Sequence, residues 1–251
     1  MNEEEVYEVR MQDLATGMTR PCAMAFVMGT RTATPDDFEP YASAPRAELL
    51  EACRSLDPKS VTPQDEAAGG VSQLRHLDIL DSLSSTASLG FRIDAAKTVV
   101  DGALDTLPLP EGHKSLATLK EEGDVAAALS TFVQGDESIA KAAAIKLDVI
   151  CAALGRSQVF WPRHCLLRST LLLVYDDAER EHTELKMVNF AFSYKLPEDA
   201  PPISHVAPWD GTPDSHEDGY QTGVTSLARI FRRVADELAN KPKDDAVVQV
   251  I

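Results

Sequence analysis

Basic residues are scarce in this chain of 251 residues: 24 Lys and Arg stand against 40 Asp and Glu, a net charge of −16. Such a field repels phosphate-rich partners unless a local basic pocket overrides it, so nucleic acid and anionic membrane are poor candidates. Hydrophobic runs are short. Runs such as Leu171–Tyr175 are one strand's worth, and membrane insertion is not expected. Cysteine is rare as well. Cys22, Cys53, Cys151 and Cys165 show no CxxC spacing and sit mostly in apolar segments, the pattern of buried thiols in a reducing compartment. The opening Met-Asn-Glu-Glu-Glu lacks the layout of a secretory signal or an organellar presequence, so the expectation is intracellular, cytoplasmic by default. No Gly-rich phosphate loop occurs, Gly69-Gly70 being a lone pair in a linker. His76, His113, His164, His182, His205 and His216 show neither metal-ligand spacing nor a nearby nucleophile motif, and read as surface or satisfied core residues.

What is present is ordinary globular material, 44% hydrophobic and 25% charged, enough for one large domain or two small ones. Glu5–Gln12 alternates Tyr7, Val9 and Met11 with charged residues, the period of a half-buried strand. Ala23–Met28 is apolar without a break, which predicts a strand covered on both faces. Pro45–Leu56 and Val71–Leu83 carry helical spacing around a mobile Pro58–Gly70 connector. Ser88–Val99 reads as strand, Ser115–Val133 and Ser138–Leu154 as core-packing helices, and Thr222–Ala239 as an amphipathic helix. Cys165–Tyr175 and Leu185–Phe192 form an expected hairpin whose charged tip, Asp176–Glu181, reads as a solvated turn. The Pro-rich loop Pro197–Pro213 is free to dock on a partner, and the β-prone tail Ala246–Ile251 to add to a sheet edge.

Five short segments, in order, resemble the inositol polyphosphate kinase family. In Pro21–Gly29 the family's signature frame survives as Pro21 and Gly29, while its Asp position holds Ala25 and its Lys position Val27. Ser88–Ile93 resembles the Ser-Leu-Gly-Phe-Arg-Ile segment and Ser169–Leu172 the Ser-Ser-Leu-Leu strand. Lys186–Ala191 is similar to Lys-Met-Ile-Asp-Phe-Ala, with Asn189 where the family's metal-holding Asp stands. Asp218-Gly219-Tyr220, with Gly223, is similar to the opening of the last helix.

The resemblance implies an α+β fold of the inositol polyphosphate kinase-like (SAICAR synthase-like) kind, mainly antiparallel sheet with packed helices. The N-lobe is expected to be truncated, because the strands that cover the nucleotide in the kinases have no counterpart here. The expected organisation is residues 1–32 as remnant N-lobe strands and degenerate signature, 33–87 as an acidic helical insert, 88–240 as C-lobe and 241–251 as tail. Between Tyr41 and Leu83 of the insert, four basic residues (Arg46, Arg54, Lys59, Arg75) face seven acidic ones (Glu48, Glu51, Asp57, Asp65, Glu66, Asp78, Asp81), a balance that repels the family's usual substrate. Arg31 is expected to make a structural salt bridge.

Phosphoryl transfer depends on metal-held phosphates and cations on the moving charge. Magnesium prefers anionic oxygen, and Asn189 offers a neutral carbonyl. The expectation is therefore a pseudokinase with no catalytic, cofactor or metal residues, kept as a structural or adaptor subunit among other proteins of a larger assembly. A sensor that binds ATP or an inositol phosphate without turnover is the second reading, opposed by the acidic charge. A working kinase acting through displaced residues such as Asp13, Asp177 or Asp218 is the third.

Overall fold

Alternation organises the first strand. In β1 (Pro21–Met28), Cys22, Met24, Phe26 and Met28 are fully buried, while Pro21, Ala23, Ala25 and Val27 are half-exposed. The computed structural model describes residues 12–241, so the expected strand over Glu5–Gln12 and the tail Ala246–Ile251 lie outside the described residues, Gln12 apart. The apolar run of β1 predicted cover on both faces; only one face is packed into the main core, because the helices that build that core lie on that side of the sheet.

β1 is the centre of a five-stranded antiparallel sheet, ordered β3-β2-β1-β5-β6, with β2 (Phe91–Val100), β3 (Ala103–Thr106), β5 (Thr170–Asp176) and β6 (Thr183–Val188). Asp101 and Gly102, at φ 51 and 83, turn β2 into β3 as a two-residue hairpin, where Asp-Gly supplies the left-handed pair such a turn needs. A short β4 (His164–Leu166) pairs instead with β7 (Ser193–Lys195) in a separate two-stranded sheet. The expected long hairpin is thus split between two sheets. Arg168, at φ 51, marks the break on one side and Asn189, at φ 57, on the other.

The insert carries α1 (Ala47–Leu56), α2 (Pro63–Ala68) and α3 (Gln73–Leu83), one helix more than the spacing predicted. The supposed mobile connector is α2. Thr62 and Asp65 cap it reciprocally, Pro63 opens it and Gly69 closes it in the left-handed conformation. Leu50, Cys53, Val71 and Ile79 form a small core of their own. One helical turn, α4 (Thr86–Leu89), precedes β2 where strand was expected from Ser88.

α5 (Glu122–Phe132), α6 (Glu137–Arg156) and α7 (Tyr220–Ala239) cover one sheet face. Ile139, Ala143 and Leu147 of α6 and Val224, Leu227, Ile230, Phe231 and Val234 of α7 are buried there around Met24, Phe26 and Leu173, as their helical spacing predicts. Full burial of a large aliphatic or aromatic side chain contributes about 1.5–3 kcal/mol, so this layer is the main source of stability. Among the described residues no helix is long and apolar enough to cross a membrane.

Candidate functional site

Four of the five segments that carry the family resemblance meet at one backbone junction. The Gly29 amide donates to the Gly90 carbonyl at 2.8 Å, and the next amide, Thr30, donates to the Asp218 carbonyl at 2.8 Å. Gly29 sits at φ 111, and a Cβ there would lie 2.8 Å from the Asp218 carbonyl oxygen, so the turn after β1 requires glycine twice over. The Ser169 carbonyl accepts from Met28 at 2.9 Å, and the buried Ser169 hydroxyl donates to the Leu166 carbonyl at 2.9 Å.

Asp218 is completely buried. Its Oδ2 accepts from the Leu166 amide at 2.8 Å and its Oδ1 from the Tyr220 amide at 2.9 Å, while His205 Nδ1 lies 2.9 Å from Oδ1. The other ring nitrogen of His205 is 2.7 Å from the Trp161 carbonyl, and the ring stacks on the Trp161 indole at 3.5 Å. Both nitrogens face oxygens, so the ring is held between the Asp218 carboxyl and the Trp161 carbonyl. The acceptor capacity of Asp218 is spent inside the protein. Arg31 is also internal, but it binds carbonyls rather than the expected carboxylate: Nε donates to Glu217 at 2.9 Å, and the two terminal nitrogens donate to Ser215 and Ala33.

Above this junction lies the uncovered sheet face. Ala25 is flanked by Ala95 of β2 and Leu172 of β5, and Val27 by Arg92 and Thr170. Lys186 and Val188 of β6 continue the row beside Leu172 and Thr170. Lys97 and Lys186 are exposed cations on this face, whereas Arg92 is 8% exposed, tucked against α3, with Asp81 Oδ1 at 3.7 Å. Burial lowers the Arg92 pKa and raises that of Asp81, each being pushed towards its neutral form. Asp81 Oδ2 also accepts from the Thr32 amide at 2.7 Å, which ties the insert to the signature turn. Asn189 follows β6, exposed and left-handed, a conformation that Asn tolerates well. Among the described residues no three His, Cys, Asp or Glu side chains converge as a metal cage.

At the charged hairpin tip Ala178, Glu179 and Glu181 are exposed, as a solvated turn requires, whereas Asp176 and Asp177 are buried. Asp176 is 1% exposed and accepts from the Thr19, Arg20 and Ala178 amides at 2.7, 2.9 and 2.9 Å, which together hold its carboxyl below the usual range against the opposing effect of desolvation. Asp177 is 8% exposed, between Arg20 at 2.7 Å and Arg180 at 2.9 Å, with Gln134 donating at 2.9 Å. Carboxylates with this many donors can be withdrawn from water. The Pro-rich loop is likewise docked on its own chain, Ile203 donating to Pro162 and Arg163 to Ala200.

The helix-backed sheet, its open face and the glycine junction define an inositol phosphate kinase fold. A structure from protein-engineering studies of inositol phosphate multikinase is similar over 89% of this chain and 84% of that one, with a TM-score of 0.55 at 17% identity. Inositol phosphate multikinase Ipk2 of S. cerevisiae, solved with ADP and Mn2+, is similar over 88% of this chain and 81% of that one, with a TM-score of 0.51 at 14% identity. Residues 8–232 match the sequence model of the family described as inositol polyphosphate kinase, and the chain belongs to that family. Human inositol-trisphosphate 3-kinase A is 29% identical over 91% of this chain and 47% of its own length. Mouse inositol-trisphosphate 3-kinase C is 31% identical over 90% of this chain and 31% of its own. The chain thus spans about half or less of the length of these curated relatives.

Proposed function

We propose that this chain is a catalytically inactive member of its family, acting through its surface as a structural or adaptor subunit. One observation carries the reading. Ala25 and Val27 occupy the half-exposed face of β1, beside Leu172 and Thr170, so the positions that the family resemblance assigns to carboxylate and ammonium hold only hydrocarbon. The third assigned position, Asn189, is an exposed neutral amide just past the end of β6. This donor set does not fit a divalent cation, which prefers anionic oxygen. Asp218, the one carboxylate retained in the five segments, is consumed by two amides and His205. Losing one electrostatic stabiliser of phosphoryl transfer costs about 10²–10³ in rate, and here three are replaced.

The names of the relatives, all inositol-trisphosphate 3-kinases or a homologue, favour the alternative of an active kinase. Transfer of labelled phosphate from ATP to a panel of inositol phosphates separates the two. The inactive reading requires no product above a no-protein blank, and turnover that survives repurification overturns it. Thermal-shift titration with ATP and inositol phosphates tests for a non-catalytic sensor, since a ligand of the folded state raises its stability by mass action.

A further inference from the structure

The outer edge of β6 combines unused hydrogen-bonding capacity with a charge order that complements itself. The Ser169 carbonyl accepts from Met28 and the Asp176 amide donates to His182, so odd-numbered β5 residues bond to β1 and even-numbered ones to β6. Glu184, Lys186 and Val188 therefore bond to β5, and the backbone groups of Thr183, Leu185 and Met187 point away from the sheet. β6 ends the strand order, so among the described residues that edge has no strand partner.

Unlike charges stand in order along it. Thr183–Val188 holds one acid, Glu184, and one base, Lys186, two residues apart on the same face, so the strand is neutral in a chain of net charge −16. Two copies of β6 laid antiparallel about a two-fold axis through Leu185 set each Glu184 opposite the partner's Lys186. The outward groups then meet outward groups, Leu185 against the partner's Leu185 and Thr183 against the partner's Met187, so that amides face carbonyls. An axis through Lys186 or through Glu184 keeps that bonding pattern but sets like charges directly opposite, which is destabilising. Glu184 already lies 3.3 Å from Lys186 and 3.9 Å from Lys146 of its own chain, so its carboxylate is held at the edge before a copy arrives.

Apolar surface flanks the same edge on the helix side. Ile145 and Val149 of α6 are 62% and 63% exposed, and with Ala142, Ile150, Leu185 and Met187 they line a groove of about 630 Å³. Leu185 lies on the axis, so the groove meets its own copy there, and a second chain removes Ile145 and Val149 from water.

We infer that this face is a homodimer interface, in which β6 pairs antiparallel with the β6 of a second copy about a two-fold axis at Leu185. The two five-stranded sheets become one continuous sheet, and α6 packs through Ile145 and Val149 on the α6 of the second copy.

Light scattering during gel filtration of the full chain tests this, loaded at about 100 μM so that a dimer of micromolar Kd is largely assembled. The expected mass is twice that of the chain. Lys186→Glu and Ile145→Asp, both at exposed positions, each halve it while keeping the circular dichroism of the native protein. A monomer under these conditions overturns the inference, and so does a dimer that either variant leaves intact. Cysteine cross-linking reads the register: Glu184→Cys mixed with Lys186→Cys and oxidised is expected to give about tenfold more linked dimer than either variant alone, because only unlike positions come within disulfide reach. Equal linkage in the mixture and in the single variants overturns the pairing.

Discussion

Gly90 and Gly223 touch through their backbones: a Cβ on Gly223 would lie 2.1 Å from the Gly90 carbonyl oxygen, and one on Gly90 2.5 Å from the Gly223 nitrogen. The first turn of α7 therefore rests directly on the entry to β2. Gly223→Ala is expected to destabilise the protein by about 3 kcal/mol, the upper end for overpacking, because backbone rather than a flexible side chain is in the way. Gly123→Ala in α5 meets nothing within 4 Å and is expected to stabilise by about 0.5–1 kcal/mol. Chemical denaturation of both variants measures the contrast.

The buried Asp218 acts as an internal clasp between β4, the Pro-rich loop and α7. Asp218→Ala leaves the Leu166 and Tyr220 amides and His205 without their acceptor. A buried donor left without its acceptor costs about 1–3 kcal/mol, and denaturation midpoints check that figure. Asp218→Asn keeps one acceptor oxygen and is expected to fall between Ala and the native residue.

Charge on the two faces of β1 has opposite consequences. Ala25→Asp with Val27→Lys places both groups on the half-exposed face and is expected to cost below about 1 kcal/mol per site. Met24→Asp, one residue away on the covered face, is expected to abolish folding, since Met24 is fully buried in the main core. Circular dichroism and thermal melts distinguish the two; loss of the folded state in the A25D/V27K variant would mean that this face is packed shut.

Acid should loosen the insert at α2. Hydrogen bonds from the Thr62 amide and hydroxyl hold the Asp65 carboxyl below its usual range. In the unfolded chain Asp titrates near about 3.9, so this cap contributes fully above that pH and is lost as pH falls through the lower folded value. Asp65→Ala is expected to cost about 1 kcal/mol at neutral pH, and the gap from the native protein to close in acid. Urea midpoints of both proteins from neutral to acid pH read the convergence.

Much of the architecture was legible because its cues are local. The spacing of Ile139, Ala143 and Leu147, and of Val224, Leu227 and Phe231, announces the two helices that form the core. The glycines at 29, 90 and 223 announce tight backbone approach, although only the fold brings them to one point. Asp101-Gly102, left-handed at both residues, is a local hairpin signal of the same kind. Burial of charge was not legible, because it depends on partners far along the chain: Asp176 is satisfied by amides 156 and 157 residues away, and Asp81 by Thr32 across 49. For the same reason the acid count of the insert overstates its outward charge, Asp65 and Asp81 being spent on internal donors. The open face of β1 was hidden because apolar composition does not say which neighbours arrive.

The hairpin clamp at Asp176 and Asp177 also fixes where the body can be cut and rejoined. Arg20 is held on Asp177, and Lys241 lies beside Arg180 on the same hairpin, so the described chain enters and leaves at one pole of the sheet. A short polar linker between these two points, with new ends opened at the exposed Asp101-Gly102 turn, should yield a circular permutant that keeps every contact of the core.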